Sequence, residues 1–217
     1  MIASSGVADA HTRWHHTRRH YTPASRRIVD PVYKGPSNPV LIRIFKEEHQ
    51  LELWRQNDTG TYELVKTYII CKFSGHLGPK LRQGDRQAPE GFYSIAAGQL
   101  RHEHRMDIGY PNEFDRANGR TGNAIQIHGG CSSIGCFAIT NDPIIKIYNN
   151  IKKSLHSGQK VVQVQAYPFR MTDVNLKEHS LDKNIDFWQQ LKTGYDLFEQ
   201  TKQDLTVHVV DRRYIIK

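Results

Sequence analysis

The chain has 217 residues and lacks any long hydrophobic run. No apolar stretch approaches the roughly 20 residues that a transmembrane helix requires, so the sequence predicts no membrane span. The first thirty residues also lack the apolar segment of a secretory signal peptide. Three explanations stay open: a signal has been removed, export follows another route, or the protein stays inside the cell.

Cysteine is scarce, which excludes a scaffold held together by many disulfides. The three cysteines are Cys71, Cys131 and Cys136, and an odd number leaves at least one thiol free if one pair forms. A Cys71–Cys131 disulfide would leave Cys136 free and reactive. The alternative is three reduced thiols, two of them packed in the core, where free cysteine is common. Spacing does not decide between the two, because a disulfide depends on the Cα separation.

Acidic residues are outnumbered, with 22 Asp and Glu against 30 Lys and Arg and a net charge of +8. A basic surface favours polyanions such as nucleic acid, anionic lipid or an acidic wall polymer. The charge is scattered outside the first 37 residues, and neither a helix-turn-helix nor an RNA-binding aromatic signature is present. The sequence therefore predicts no nucleic-acid partner.

Residues 1–37 show no hydrophobic periodicity and are rich in His, Arg, Ser and Pro. This composition is typical of a flexible basic arm, although its four histidines could bind metal. We assign the arm no catalytic role.

Residues 38–217 have the patterns of one α+β domain that is mainly β. Alternating and β-branched segments predict strands within 40–45, 49–54, 62–71, 88–95, 124–128 and 161–166, and a closing hairpin within 206–216. Apolar residues at helical spacing predict helices near 141–151, 172–178 and 185–200. Two loop-rich stretches, 74–85 and 99–122, lie between these elements.

The most informative segment is a glycine-rich loop from His128 to Cys136, placed after a short predicted strand. A cysteine attacks carbonyls as a thiolate, which a nearby imidazole can generate. The backbone N–H groups of Gly135 and Cys136 could form an oxyanion hole. No Asp or Glu lies in the loop, so the carbonyl of Gly129 could orient the imidazole through Nδ1. The loop predicts a cysteine-nucleophile enzyme that requires no metal or organic cofactor.

Two other interpretations of the loop stay open. His128, Cys131 and Cys136 could bind zinc with His76 as a fourth ligand, although structural zinc sites usually show closer cysteine pairs. The histidine and the thiols could also simply pack in a glycine turn.

The loop resembles the catalytic motif of the L,D-transpeptidase (YkuD-type) family, through His128-Gly129 and Ser133-Ile-Gly-Cys136. Short segments in the same order resemble the YafK subgroup of that family. They lie at 43–48, 70–75, 78–80, 84–85, 89–94, 109–112, 115–117, 135–138, 167–172, 186–188, 194–195 and 198–201.

The resemblance implies a β-sandwich-like catalytic domain over residues 38–217, a periplasmic location and peptidoglycan stem peptides as substrate. It implies that Cys136 is the nucleophile, His128 the base and the Gly129 carbonyl its orienting group. Ser133 and Gly135 would shape the site. Tyr110, Arg116 and Lys80 are weaker candidates for substrate binding, since a loop tyrosine or a salt-bridged charge explains them equally well.

The subgroup departs from the common motif, with Ile134 where a second histidine often precedes Gly-Cys and Ala138 where Arg or Asn often follows. For this subgroup the resemblance implies hydrolysis of the amide between meso-diaminopimelate and the C-terminal lysine of Braun lipoprotein. Transpeptidation, L,D-carboxypeptidase activity, a secreted antibacterial effector and a catalytically inactive wall-binding protein are the alternatives.

Overall fold

The computed structural model describes Met1 and residues 38–217. The chain divides into two compact units, residues 1–34 and 35–217. The predicted arm at 1–37 lies outside the described residues, except for Met1, so its flexibility stays a prediction. All helices and strands within residues 38–217 belong to the second unit.

Ten strands and four α-helices form this unit. The strands are β1 (Val40–Phe45), β2 (Gln50–Gln56), β3 (Tyr62–Phe73), β4 (Gly91–Ala96), β5 (Met106–Asp107), β6 (Gln126–Gly129), β7 (Phe137–Ile139), β8 (Val161–Tyr167), β9 (Val207–Val210) and β10 (Arg213–Ile216). The helices are α1 (Glu113–Ala117), α2 (Asn141–His156), α3 (Asp173–Glu178) and α4 (Ile185–Thr201). Two 3₁₀ turns, Ala97–Gln99 and His102–His104, precede β5. The predicted fold class, α+β and mainly β, is confirmed.

Eight strands form one sheet in the order β4-β8-β1-β2-β3-β7-β6-β5, and β9 and β10 form a separate hairpin. The β1–β8 and β6–β7 pairs are parallel, and the other pairs of the sheet are antiparallel. The edge strands β4 and β5 approach each other. The N–H of Ser94 in β4 donates to the carbonyl of Ile108, which directly follows β5, at 3.2 Å. The sheet therefore curls until its two edges meet.

Strand β1 is buried on both faces, which explains why its sequence is almost continuously apolar. Ile42 and Ile44 join a core cluster with the apolar face of α2. Leu41 and Phe45 point the other way, into an aromatic cluster that packs on α4. The two helices thus cover opposite faces of the sheet, and the β6–β7 end stays accessible to solvent.

Most predicted strands and helices are confirmed to within a few residues. Helix α1 and the strands β5 and β7 were not predicted, because elements of two to five residues show no detectable periodicity. No helix within the described residues is both long and apolar enough to cross a membrane.

Candidate active site

The loop between β6 and β7 is unusually tight for its topology. These strands are parallel neighbours, and parallel strands usually need a connection of about a dozen residues, whereas here β6 ends at Gly129 and β7 begins at Phe137. Gly130 and Gly135 have φ values of +78° and +142°, which residues with a Cβ rarely adopt. The two glycines therefore allow the chain to turn back and begin the parallel strand β7 after only seven residues.

His128 is held in one tautomer by the backbone beside it. Its Nδ1 lies 2.7 Å from the carbonyl oxygen of Gly129. A carbonyl only accepts, so this bond requires the proton on Nδ1 and leaves Nε2 as the free, basic nitrogen. The side chain is half-buried, so that Nε2 can meet a ligand from solvent. The orienting contact predicted for Gly129 is present in the structure.

Cys136 lies on the same face of the sheet as His128. In the β6–β7 register, His128 pairs with Ala138 and Ile127 with Phe137, so continuing it places Cys136 beside Gln126, two residues from His128. The Cys136 Sγ accepts the N–H of Gln126 at 3.4 Å, and its side chain is partly exposed. Within residues 38–217 no hydrogen bond joins the Cys136 Sγ to His128. Hydrogen bonds between catalytic groups are often long or poorly aligned before substrate binds.

The surroundings of the Cys136 thiol oppose its ionisation. Burial raises its pKa above the ordinary value, and the Asp107 carboxylate raises it further, whereas the N–H of Gln126 and the Lys80 ammonium lower it. An adjacent imidazolium would lower this pKa, but within residues 38–217 no hydrogen bond joins the two side chains, and desolvation dominates. Generation of the thiolate by His128 stays a prediction.

Ser133 fixes the turn that precedes Cys136. Its Oγ donates to the carbonyl of Cys136 at 2.8 Å and accepts the N–H of Gly135 at 3.2 Å. The Oγ atoms of Ser133 and Ser74 lie 3.3 Å apart. The Gly135 N–H already donates to the Ser133 Oγ, so it can donate to an oxyanion only after that hydrogen bond breaks.

A disulfide between Cys71 and Cys131 ties this loop to β3. The Cα atoms are 5.5 Å apart, within the usual range. The structure thus supports the oxidised alternative, with Cys136 as the free thiol. It also removes Cys131 from the zinc alternative. In the part of the chain that the structure describes, no three His, Cys, Asp or Glu side chains lie close enough to hold a metal ion.

Lys80 and Tyr110 lie inside the protein. The Lys80 ammonium pairs with Asp85 at 2.5 Å, and only 4% of the side chain is exposed. The Tyr110 hydroxyl donates to the carbonyl of Lys80 at 3.1 Å, and burial raises the pKa of that hydroxyl well above its usual range. Both side chains are buried and stabilise the 78–85 loop, so neither is accessible for direct contact with a substrate.

Arg116 is exposed on α1, and its guanidinium donates to the carbonyl of Pro111. It lines a groove of about 400 Å³ that also includes Gly109 and Asn112. Neither His128 nor Cys136 lines this groove. The structure therefore does not bring Arg116 together with the nucleophile.

Two contributors to the site were missed in the sequence. The Oδ1 of Asn141 accepts the N–H of Gly130 at 3.0 Å, although the sequence placed Asn141 only at the start of a predicted helix. Asp107 pairs with Gln126 across β5–β6 and thereby reaches the face that carries Cys136. Its position follows from a two-residue strand whose register the sequence does not reveal.

The sequence matches define the class of protein. Residues 39–165, more than half of the chain, match the model of the YkuD domain, the L,D-transpeptidase catalytic domain. The chain therefore belongs to the L,D-transpeptidase (YkuD) family. It is 50% identical over 199 residues to YafK of Escherichia coli (strain K12), an L,D-transpeptidase by name. That match covers 90% of this chain and 79% of YafK, and it confirms the predicted resemblance.

Solved structures show weaker similarity. The helical cell shape determining protein Pgp2 from Campylobacter jejuni aligns with a TM-score of 0.46 and 21% identity, over 80% of this chain and 73% of Pgp2. L,D-transpeptidase 1 of Mycobacterium tuberculosis aligns with a TM-score of 0.33 and 11% identity, over 59% of this chain and 61% of that protein. The family assignment rests on the sequence matches.

Proposed function

We propose that this protein is a cysteine amidase of peptidoglycan. Its substrate is the amide between meso-diaminopimelate in the stem peptide and the C-terminal lysine of a Braun-type lipoprotein. One observation carries the proposal: the Nδ1 of His128 donates to the Gly129 carbonyl at 2.7 Å, which leaves Nε2 basic on the face that carries the free Cys136 thiol. General-base activation of a thiol needs a basic nitrogen on the same face, and the Nε2 of His128 can supply it.

In the first half-reaction, the sulfur of Cys136 attacks the carbonyl carbon of meso-diaminopimelate while the Nε2 of His128 takes the thiol proton. The Cys136 N–H, joined by the Gly135 N–H once it leaves Ser133, donates to the oxyanion. Collapse of the tetrahedral intermediate breaks the C–N bond. The imidazolium gives its proton to the departing lysine amine, and a thioester remains on Cys136.

In the second half-reaction, His128 removes a proton from water, and the hydroxide attacks the thioester. The carboxylate of diaminopimelate and the free thiol are the products. If an amine attacks instead, the same acyl-enzyme gives a transpeptide, so the two outcomes share every step up to the thioester.

The periplasm is the proposed compartment. A disulfide such as Cys71–Cys131 persists in oxidising environments and is rare in the cytosol. Peptidoglycan and its attached lipoprotein are reached from the same side of the inner membrane. A secreted effector that acts on another cell's wall would meet the same redox conditions. The disulfide therefore does not distinguish a periplasmic enzyme from such an effector, but the cell whose wall is cut does.

The test is digestion of lipoprotein-linked sacculi, and of plain cross-linked sacculi, with the wild-type chain and with Cys136→Ala. We expect free lipoprotein ending in an unmodified lysine, and stem peptides ending in diaminopimelate, identified by mass. Cys136→Ala should release none of either, and its folding is checked by circular dichroism.

Other products would contradict the proposal in distinct ways. New diaminopimelate–diaminopimelate links identify a transpeptidase, and loss of terminal D-alanine alone identifies a carboxypeptidase. Release of lipoprotein by Cys136→Ala at the wild-type rate would remove the thioester mechanism itself.

A further inference from the structure

The open face beside the nucleophile carries two charged side chains that the mechanism above does not use. Met106, Ile127 and Phe137 are paired neighbours across β5, β6 and β7, and all three are fully buried. Residues adjacent to them in each strand must point to the opposite face. Asp107 therefore lies beside Gln126 on the face of Cys136.

Arg105 lies on the same face. It precedes β5 with extended backbone, φ −88° and ψ 140°, so the antiparallel register that pairs Met106 with Ile127 places Arg105 opposite His128. Both side chains are half-buried, as are Asp107 and Cys136. A thiol, an imidazole, a carboxylate and a guanidinium thus share one partly exposed surface.

Within residues 38–217, Asp107 has no cationic partner and Arg105 pairs only with the exposed Glu103. One oxygen of Asp107 accepts the N–H of Gly109 at 2.9 Å, and within residues 38–217 no cation pairs with the carboxylate. The Arg105 guanidinium makes only long contacts, at 3.4 Å to the carbonyl of His102 and at 3.4 Å to the exposed Glu103. Both groups are free to bind a ligand in place of water.

We propose that Arg105 and Asp107 bind the zwitterionic end of the diaminopimelate side chain, with Asp107 on its ammonium and Arg105 on its carboxylate. This inference rests on the proposed function. Residues two apart in a strand are about 6.6 Å apart at their Cα atoms. That spacing suits an ammonium and a carboxylate on a single carbon, with one hydrogen bond on each side. The pair would select diaminopimelate over residues that lack either charge.

The position of Asp107 gives a second reason for assigning it a cationic ligand. Its carboxylate opposes ionisation of Cys136, and an asparagine would hold the Gly109 turn equally well. A bound ammonium neutralises this carboxylate. Substrate would then lower the pKa of the thiol as it arrives, so that recognition and activation of the nucleophile are coupled.

The test uses the full chain and three synthetic stem peptides in which the diaminopimelate carboxyl is joined to the side-chain amine of lysine. One carries meso-diaminopimelate, one carries it amidated at the side-chain carboxyl, and one carries it acetylated at the side-chain amine. The measurement is the second-order rate constant of acyl-enzyme formation, followed by intact mass. Wild type should favour the unmodified peptide about ten- to a hundredfold over each modified peptide, as expected for one charged hydrogen bond.

Each variant should lose one preference and keep the other. Arg105→Gln should acylate equally fast with the unmodified and the amidated peptide, while still rejecting the acetylated one. Asp107→Asn should lose only its discrimination against the acetylated peptide. Arg101→Gln, which removes an exposed charge from the same segment, is the matched control and should keep both preferences.

The outcomes separate this inference from the proposed function. Wild-type acylation with unchanged preferences in Arg105→Gln and Asp107→Asn would overturn the inference alone. An equal loss with all three peptides in either variant would also overturn it, since that is the result of a distorted site. Absence of any acyl-enzyme in wild type, with these peptides and with lipoprotein-linked sacculi, would overturn the proposed function and this inference together.

Discussion

Lys46 is the buried charge on which the loop beside the active site depends. Its ammonium donates to Glu90 at 2.8 Å and to the carbonyls of His76, Gly78 and Ala88 at 2.8, 3.0 and 3.1 Å. Neither side chain of the Lys46–Glu90 pair has any exposure to solvent. Burial lowers the pKa of Lys46, while the Glu90 carboxylate opposes that shift. The pair therefore joins β1 to the 76–90 segment from inside the protein.

Replacing Lys46 with methionine keeps most of the volume and removes the charge. The three carbonyls keep a donor, because Gln87 Nε2 donates to all of them. Glu90 keeps the N–H of Gly78 and the indole of Trp188 but loses the one cation that pairs with it within residues 38–217. Breaking a buried pair in this way costs about 3–5 kcal/mol. We expect Lys46→Met to lower the free energy of unfolding by that amount.

The assay is urea unfolding followed by far-ultraviolet circular dichroism, with the slope of the transition compared between variants. Lys192→Met is the matched control. Its ammonium pairs with two exposed carboxylates, Asp173 and Asp196, so it should change stability by less than about 1 kcal/mol. The double variant Lys46→Met/Glu90→Gln removes the stranded charge and should be more stable than Lys46→Met alone.

Two results would refute this reasoning. One is a loss in Lys46→Met no larger than the loss in Lys192→Met. The other is a double variant that is at least as unstable as Lys46→Met, because then the unpaired carboxylate of Glu90 is not the source of the cost.

Three further predictions follow from single contacts. Replacing Cys71 and Cys131 together by serine opens a 60-residue loop and should lower the free energy of unfolding by about 4 kcal/mol in urea; an unchanged midpoint would contradict a stabilising disulfide. The rate of Cys136 alkylation by iodoacetamide should rise with pH only above the ordinary range of a cysteine pKa, because burial raises the pKa of this thiol; a midpoint below pH 7 would instead show a preformed thiolate. Gly194→Ala would place a Cβ 2.5 Å from the Phe92 ring, so it should reduce thermal stability by about 1–3 kcal/mol, although alanine gains about 1 kcal/mol in an open helix.

The local patterns of the chain determined much of this protein. The strand β1 and the helix α4 were predictable because periodicity and burial are properties of neighbouring residues. The glycine-rich loop from His128 to Cys136 could be singled out because a histidine and a cysteine flank one short segment. The resemblance to a known motif supplied their proposed roles. The carbonyl of Gly129 could be proposed as the orienting group because it belongs to the residue next to His128.

Tertiary structure decided what depends on register and burial. Asp107 and Arg105 reach the face of Cys136 only because β5 pairs with β6 at one particular register, and a strand of two residues leaves no periodic trace in the sequence. The sequence left Lys80 open as a substrate-binding or a salt-bridged charge, and packing placed it inside an ion pair with Asp85. The direction of the Cys136 pKa shift depends on tertiary structure for the same reason, because desolvation depends on how the whole fold surrounds an atom and not on which residues lie next to it in the chain.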